Sequence, residues 1–469
     1  MGKLEPIHLR VGPAFLTYLQ AIVSAPYLKL DEDSRTIYGA DALKQGRRPD
    51  AVVLPADTKE VAAVVGLCAR HRVPIVPRGA GTGYTGGAVP TQGGIVLSLE
   101  RMNRILEIDE ANLIAVVEPH VVTGDLQAAV ERVGLFYPPD PASLKESVIA
   151  GNVAECAGGP RAFKYGTTKQ YVLGLEVVLP TGEVIRTGGK VVKNVVGYDL
   201  THLIVGSEGT LGVITQVVLR LVPKPPVQST LRATFTDVES AVQAVINVIR
   251  ARVVPAAVEL IDGDSLEAVA QYLQVRSLAP QGTAAMLLLE VDGVPPAVEE
   301  EAGRVEEACR DAGATEVLRA RDEEERQELW RVRRELSRSL KMITPLKYNH
   351  DVVVPKGRIP ELFALVREIR DEFNLRIPCF GHAGDGNIHV NIMVDPNNQA
   401  EIARARVAER RLFAGVVSLE GSISGEHGIG FAKAPFLGLE LSPEAIALMK
   451  RVKRAFDPHD ILNPGKIFS

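Results

Sequence analysis

Between about residues 50 and 221, short apolar blocks alternate with stretches of helical period and with glycine turns, a pattern that predicts an α+β domain. Ala51-Val52-Val53-Leu54 reads as a strand, residues 58–71 as a helix and Val73-Pro74-Ile75-Val76 as the next strand. Asp57-Thr58 offers that helix an N-cap, and Pro74 stops it. Further strands are expected over 113–118, 172–179, 184–186 and 213–222, with Thr181-Gly182 as a tight turn. Pro223-Lys224-Pro225-Pro226 then interrupts the pattern and reads as a linker. Beyond it the order is strand 229–235, helix 238–252, strand 256–261, strand 283–291 and a long charged helix over 296–313. Two helices among antiparallel strands suggest a ferredoxin-like sandwich. The charge run from Arg319 to Arg338 is most simply a solvated amphipathic helix, and residues 442–456 form another.

The strand at 73–76 runs into Pro77-Arg78-Gly79-Ala80-Gly81-Thr82-Gly83-Tyr84-Thr85-Gly86-Gly87-Ala88-Val89-Pro90, with five glycines in the nine residues 79–87. Glycine packs nothing and loses much entropy on folding, so this cluster makes sense where backbone amides must converge on an anion, most naturally a pyrophosphate. Gly81-x-Gly83-x-x-Gly86 matches the spacing of a dinucleotide fingerprint, but the fingerprint needs a helix opening directly after its last glycine. A turn and the strand-like Ile95-Val96-Leu97-Ser98-Leu99 follow instead, so loop amides alone would hold the anion. The plainer alternative is a glycine-rich hairpin connection.

Composition narrows the partners. A chain of 469 residues is too long for one core and implies two or three domains. Its net charge of −5 lacks the basic excess that nucleic acid demands, so a small molecule is the expected partner. Cys68, Cys156, Cys309 and Cys379 stand singly and read as reduced thiols, with no spacing for an iron–sulfur cluster or structural zinc. The first residues show no export pattern, and no stretch reaches the roughly 18 apolar residues of a bilayer span. The expectation is a cytoplasmic protein, with peripheral membrane attachment through a partner left open.

Several segments together resemble one family. Pro77 to Pro90, Gly151-Asn152-Val153-Ala154-Glu155 with Gly158-Gly159, and Gly197-Tyr198-Asp199-Leu200 leading to Gly206-Ser207-Glu208-Gly209-Thr210-Leu211-Gly212 are similar to the FAD-binding domain of the vanillyl-alcohol oxidase type. Gly381-His382-Ala383-Gly384-Asp385-Gly386-Asn387-Ile388-His389 and Ser424-Gly425-Glu426-His427-Gly428 resemble the C-terminal half of its 2-hydroxy-acid-oxidising branch, which includes glycolate oxidase flavin subunits, D-lactate dehydrogenase and D-2-hydroxyglutarate dehydrogenase. The resemblance implies an α+β fold with a two-subdomain FAD-binding domain over 1–222, a ferredoxin-like substrate (cap) domain over 223–422 and a C-terminal helical segment, 423–469, returning to the flavin. It implies FAD on Arg78, Gly79, Ala80, Gly81, Thr82, Gly83, Tyr84, Thr85, Gly86 and Gly87, with Pro139, Asp140, Ala142, Ser143, Gly151, Asn152, Gly158, Gly166, Glu208, Ile214 and Asn463 around the rest. Some relatives attach FAD through a histidine in the glycine loop; here that loop has none, so the FAD is expected to be dissociable.

His382 and His389 flank an Asp-Gly turn signal, so a bend can bring both imidazoles together, and Glu426 offers a carboxylate. Two histidines and one carboxylate form a set for a divalent metal with open positions, zinc first, with manganese or iron as alternatives. His427, beside Glu426, is the natural general base, with a supporting hydrogen-bond role as its alternative. Arg333 and Ser337 lie four apart on one predicted helix, and by resemblance these two, Lys347 and Asn391 form a carboxylate-binding set. The expected function is FAD-dependent, metal-assisted oxidation of a 2-hydroxy acid such as glycolate or D-lactate, the D-configuration being implied by resemblance alone. The alternatives are a flavin subunit active only within a glycolate oxidase complex and a non-redox transferase similar to alkyl-dihydroxyacetone-phosphate synthase. The electron acceptor is expected to be a quinone, an electron-transfer flavoprotein or an iron–sulfur partner subunit, and a homo-oligomer is open.

Overall fold

The apolar blocks of the first half become two sheets. In the structure, a computed structural model that describes residues 11–344 and 346–468, strands Ala51–Val53, Ile95–Ser98 and Ile75–Arg78 run parallel, with Leu28–Lys29 antiparallel at the edge. The first ten residues, on which the expectation of no export signal falls, lie outside the described residues. Helix Thr58–His71 covers this sheet, capped by the Asp57 carboxylate on the Glu60 amide. Its Val61, Val64, Val65 and Leu67 pack with Leu19 from helix Pro13–Val23 and with Ile75, Ile95 and Leu97. Each such side chain, fully buried, contributes about 1.5–3 kcal/mol. The second sheet is antiparallel in the order Ile105–Asp109, Ile114–Val117, Val213–Arg220, Val172–Val178, Val184–Gly188.

The chain divides into two units. The first holds the residues up to 157, 167–224 and those from 426 onward; the second holds 158–166 and 225–425. The excursion of residues 158–166 into the second unit has no counterpart in the sequence pattern.

In the second unit, strands Val227–Phe235, Ala257–Asp262, Ala285–Gly293 and Glu316–Arg319 with helices Val238–Arg250 and Pro295–Asp311 form the expected ferredoxin-like core. Three more antiparallel strands, Cys379–His382, Asn387–Val394 and Leu346–Val353, extend it to a seven-stranded sheet. Because strand side chains alternate, cross-strand register assigns faces. Glu259 opposes His382, Phe380 opposes His389, Asn391 opposes Asn349, and Lys347 opposes Met393, so these residues share one face. Helices Gly263–Leu273 and Glu323–Ile343 cover that face through Leu266, Val269, Val332, Leu336 and Leu340, packed with Phe380 and Met393.

Candidate functional site

In the first unit the glycine loop follows strand Ile75–Arg78 and leads, with no intervening helix, to strand Ile95–Ser98. Among the described residues, none of the amides from 79 to 88 donates to a backbone carbonyl, and with that of Gly86 turned to the Asp41 carboxylate the others are left for an anion. Gly83 borders open space, while a Cβ at Gly86, where φ is +80°, would lie 2.1 Å from the Phe431 ring. Arg78 turns inward: its guanidinium donates to the Ala40 carbonyl at 2.7 Å and lies over the Tyr38 ring, so the side chain braces the loop.

The C-terminal segment packs on this loop. Thr85 Oγ1 donates to the His427 carbonyl at 3.1 Å, the Thr85 carbonyl accepts from the Phe431 and Ala432 amides, and the His427 ring lies 5.3 Å from that of Tyr84. Glu208, held at φ +52°, accepts from the Ile429 and Gly430 amides at 2.7 Å each. Burial raises its carboxyl above the usual range, against those two amides and the charges of Lys466 and Lys433. Asn463 donates through Nδ2 to the Gly87 and Glu208 carbonyls, while its buried Oδ1 has no partner. An acceptor orphaned beside undonated loop amides is what a polar nucleotide cofactor would satisfy, so these residues fit FAD.

The other implied cofactor residues take several positions. Pro139, Asp140, Ala142 and Ser143 lie in the segment between strand Leu135–Phe136 and helix Ile149–Glu155, whose Gly151 lies near Gly79. Asn152 anchors that helix by donating to Thr123 Oγ1 at 2.7 Å, and Ile214 is buried in strand Val213–Arg220. Gly158 and Gly166 bracket the excursion into the second unit.

In the second unit, His382 and His389 are diagonal neighbours across one strand pair, ring centroids 5.5 Å apart. The turn between them depends on Gly386, whose φ is +91° and where a Cβ would lie 2.0 Å from the Val354 carbonyl. Asp351, opposite His389, accepts from the Gly425 amide at 2.9 Å and so fixes the chain one residue before Glu426. His382 and His389 each offer an imidazole nitrogen to a divalent cation, and Glu426, the residue after Gly425, is the carboxylate that would complete such a donor set. His427 Nε2 is 3.9 Å from Glu426 Oε1.

Arg333 is buried on helix Glu323–Ile343, whereas its neighbour Arg334 is exposed. Ser337 stands one turn on, and its Oγ accepts from Lys347 Nζ at 3.0 Å. Burial, helped by the Lys341 charge, brings the Lys347 ammonium down to about 8. Asn391 donates to the Pro378 and His389 carbonyls and keeps a buried Oδ1 without a partner.

Sequence reasoning missed Glu259, which accepts from both His382 and Arg333. Burial alone would raise its carboxyl, but the charge of Arg333 and the hydrogen bonds from His382 and Arg333 outweigh burial and hold it at about 2. The available signal was a lone acid inside the apolar run Ala256-Ala257-Val258-Glu259-Leu260-Ile261. Asp351 was missed too, in a similar setting before three valines.

Residues 49–188 match an FAD binding domain, and residues 224–467 match the C-terminal domain of FAD linked oxidases. Glycolate oxidase subunit GlcD of Bacillus subtilis (strain 168) is 45% identical over 436 residues, 93% of this chain and 92% of that protein. D-lactate dehydrogenase of Anaerostipes hadrus is 38% identical over 441 residues, 93% of this chain and 91% of that protein. Among solved structures, alkyldihydroxyacetonephosphate synthase aligns with a TM-score of 0.76 at 20% identity, over 98% of this chain and 87% of that one, a likeness of fold alone. Matched in both halves, and with relatives of this identity along nearly its whole length, the chain belongs to the FAD-linked oxidase family.

Proposed function

We propose that this protein oxidises a 2-hydroxy acid, glycolate or a D-acid such as D-lactate, to the 2-oxo acid with FAD and a divalent metal. The observation that carries the reading is the placement of His382 and His389 as neighbours on a sheet face that also presents Lys347 and Asn391, with Glu426 directly after the Gly425 that Asp351 holds, in a chain of this family. FAD, held dissociably by the glycine loop, would supply a two-electron acceptor for the hydride of the hydroxyl-bearing carbon. A metal on the two histidines and Glu426, zinc first with manganese or iron as alternatives, would supply acidification of the substrate hydroxyl and a fixed orientation. Arg333 and Lys347, with Ser337 and Asn391 beside them, bind the carboxylate. His427 takes the hydroxyl proton at Nε2, the edge that faces Glu426.

Anaerobic mixing of FAD-saturated protein with a panel of D- and L-2-hydroxy acids tests this reading. Bleaching of the flavin by one acid, abolished by chelator, is expected. No bleaching by any acid, with FAD and metal confirmed present, would move the weight to a subunit active only in a complex. The name of the Bacillus subtilis relative favours that second reading, and activity of the isolated chain with an artificial dye separates the two. The likeness to the synthase reaches only the fold, and the metal set weighs against a transferase.

A quinone, an electron-transfer flavoprotein or an iron–sulfur partner subunit would serve as the final electron acceptor. The exposure of Val195, Val196 and Tyr198, at 96%, 92% and 95%, supports a protein partner. Free cysteines at 68, 156, 309 and 379 support a reducing compartment such as the cytoplasm. Among the described residues no helix is long and apolar enough to cross a membrane.

The clamp carries a pH signature. Lys347 is charged below about 8 and neutral above it, and only the charged form attracts a carboxylate. kcat/KM, which reports the free enzyme, should therefore fall as pH rises through about 8. Lys347→Met should flatten that limb and lower kcat/KM by roughly 30-fold or more, the equivalent of about 2 kcal/mol. A wild-type profile flat from about pH 7 to about pH 9.5 would remove Lys347 from the clamp.

A further inference from the structure

Glu259 is 0% exposed in strand Ala257–Asp262, and a carboxylate that deep is tolerated only when it is paired. Both of its oxygens are used. Oε1 meets His382 Nδ1 at 2.5 Å, and Oε2 accepts from Arg333 Nε. An ionised carboxylate only accepts, so the imidazole hydrogen sits on Nδ1, and the lone pair is left on Nε2. On the other side, the bond to Nε pins Arg333 by the root of its guanidinium, 5.1 Å from the Phe380 ring centroid. Among the described residues the terminal Nη groups of Arg333 make no hydrogen bond, which leaves them for a substrate carboxylate.

We propose that Glu259 is a positioning residue that sets two groups at once: it fixes His382 with Nε2 as a metal donor, and it holds Arg333 with its terminal nitrogens free for the substrate carboxylate. The inference rests on the metal-assisted reading above and adds to it a physical link, one side chain through which metal affinity and substrate affinity rise and fall together. Neutralising Glu259 disturbs both partners, because one amide oxygen cannot serve His382 and Arg333 as two carboxylate oxygens do.

The test uses the FAD-loaded full chain as wild type, Glu259→Gln and Glu259→Asp. Zinc affinity is measured by competition with a chromophoric chelator, the visible spectrum is recorded after cobalt(II) loading, and KM and kcat are measured for the acid that bleaches the flavin. Glu259→Gln should bind zinc about 10–100-fold more weakly and shift the cobalt bands. Its KM should rise, and zinc should restore activity only at raised concentration. Glu259→Asp keeps the charge with a shorter reach, should fall between the two, and decides the matter where Glu259→Gln does not fold. A purely structural role would lower the melting temperature and leave the cobalt spectrum unmoved. Wild-type zinc affinity and cobalt bands in both variants would overturn the role of Glu259 while the metal reading stood. Wild-type protein that takes up neither zinc nor cobalt would remove the metal reading, and this inference with it.

Discussion

Replacing His427 by alanine should leave yellow, FAD-loaded protein that has lost about 10²–10⁴ of its turnover, the usual contribution of a positioned general base. The loss should be specific because the backbone around His427 is held independently of its ring. The carbonyl accepts from Thr85 Oγ1, and the next residues are fixed by Glu208 and by the Thr85 carbonyl. Only the imidazole, resting against Tyr84 and directed through Nε2 at Glu426, disappears. The glycine-loop amides and Asn463 are untouched, so the ratio of flavin to protein absorbance should stay at the wild-type value while kcat with an artificial dye collapses. Near-normal kcat would remove the base assignment and leave His427 as a hydrogen-bond partner. Loss of FAD together with activity would make it a cofactor residue instead.

How far such a site can be read from sequence depends on whether its contacts are local. The glycine loop is legible because its geometry is made within a dozen residues, and the strand-like segment that follows Gly86 in place of a helix is enough to exclude the dinucleotide fingerprint. The two histidines are legible for the same reason, since a tight turn at Asp385-Gly386 fixes their strands as neighbours. The ferredoxin-like core follows from the alternation of strands and helices. Its extension to seven strands does not, because segments 379–382 and 387–394 read as a glycine-rich motif rather than as strands. Helix Gly263–Leu273 is equally hard to see, its apolar positions following directly on a strand.

Glu259 and Arg333 show the limit. They are 74 positions apart, and what brings them together is the packing of helix Glu323–Ile343 on the sheet, which no local pattern encodes. The charge run 319–338, expected as a solvated face, is solvated at Arg331, Arg334 and Arg338, but Arg333 and Val332 turn into the core. A single buried arginine has the same appearance in sequence as its exposed neighbours. Function was therefore more legible than its support: the groups proposed to touch substrate or metal stand out, and the carboxylates that hold them do not.

Glu208→Ala should damage the protein through such support, lowering the melting temperature and, by a larger factor than stability explains, kcat. Its carboxylate takes the amides of Ile429 and Gly430, and leaving a buried donor unsatisfied costs roughly 1–3 kcal/mol each. Part of that loss is offset, because burial already raises the Glu208 carboxyl and the alanine removes a charge that burial disfavours. The catalytic loss has a different origin. Ile429 is two residues after His427, so freeing its amide loosens the turn that aims the proposed base, and a misplacement of about 1 Å can cost about 10²-fold in rate. Glu208→Gln should not rescue, because its amide nitrogen would face a backbone N–H where an oxygen now accepts. Melting curves, flavin content and kcat separate the possibilities. Lower melting temperature and kcat with full flavin content are the expected pattern. Flavin loss without a change in the melting of the apo protein would make Glu208 the direct FAD contact that the resemblance implies, and wild-type values throughout would show that the Ile429 and Gly430 amides find other acceptors.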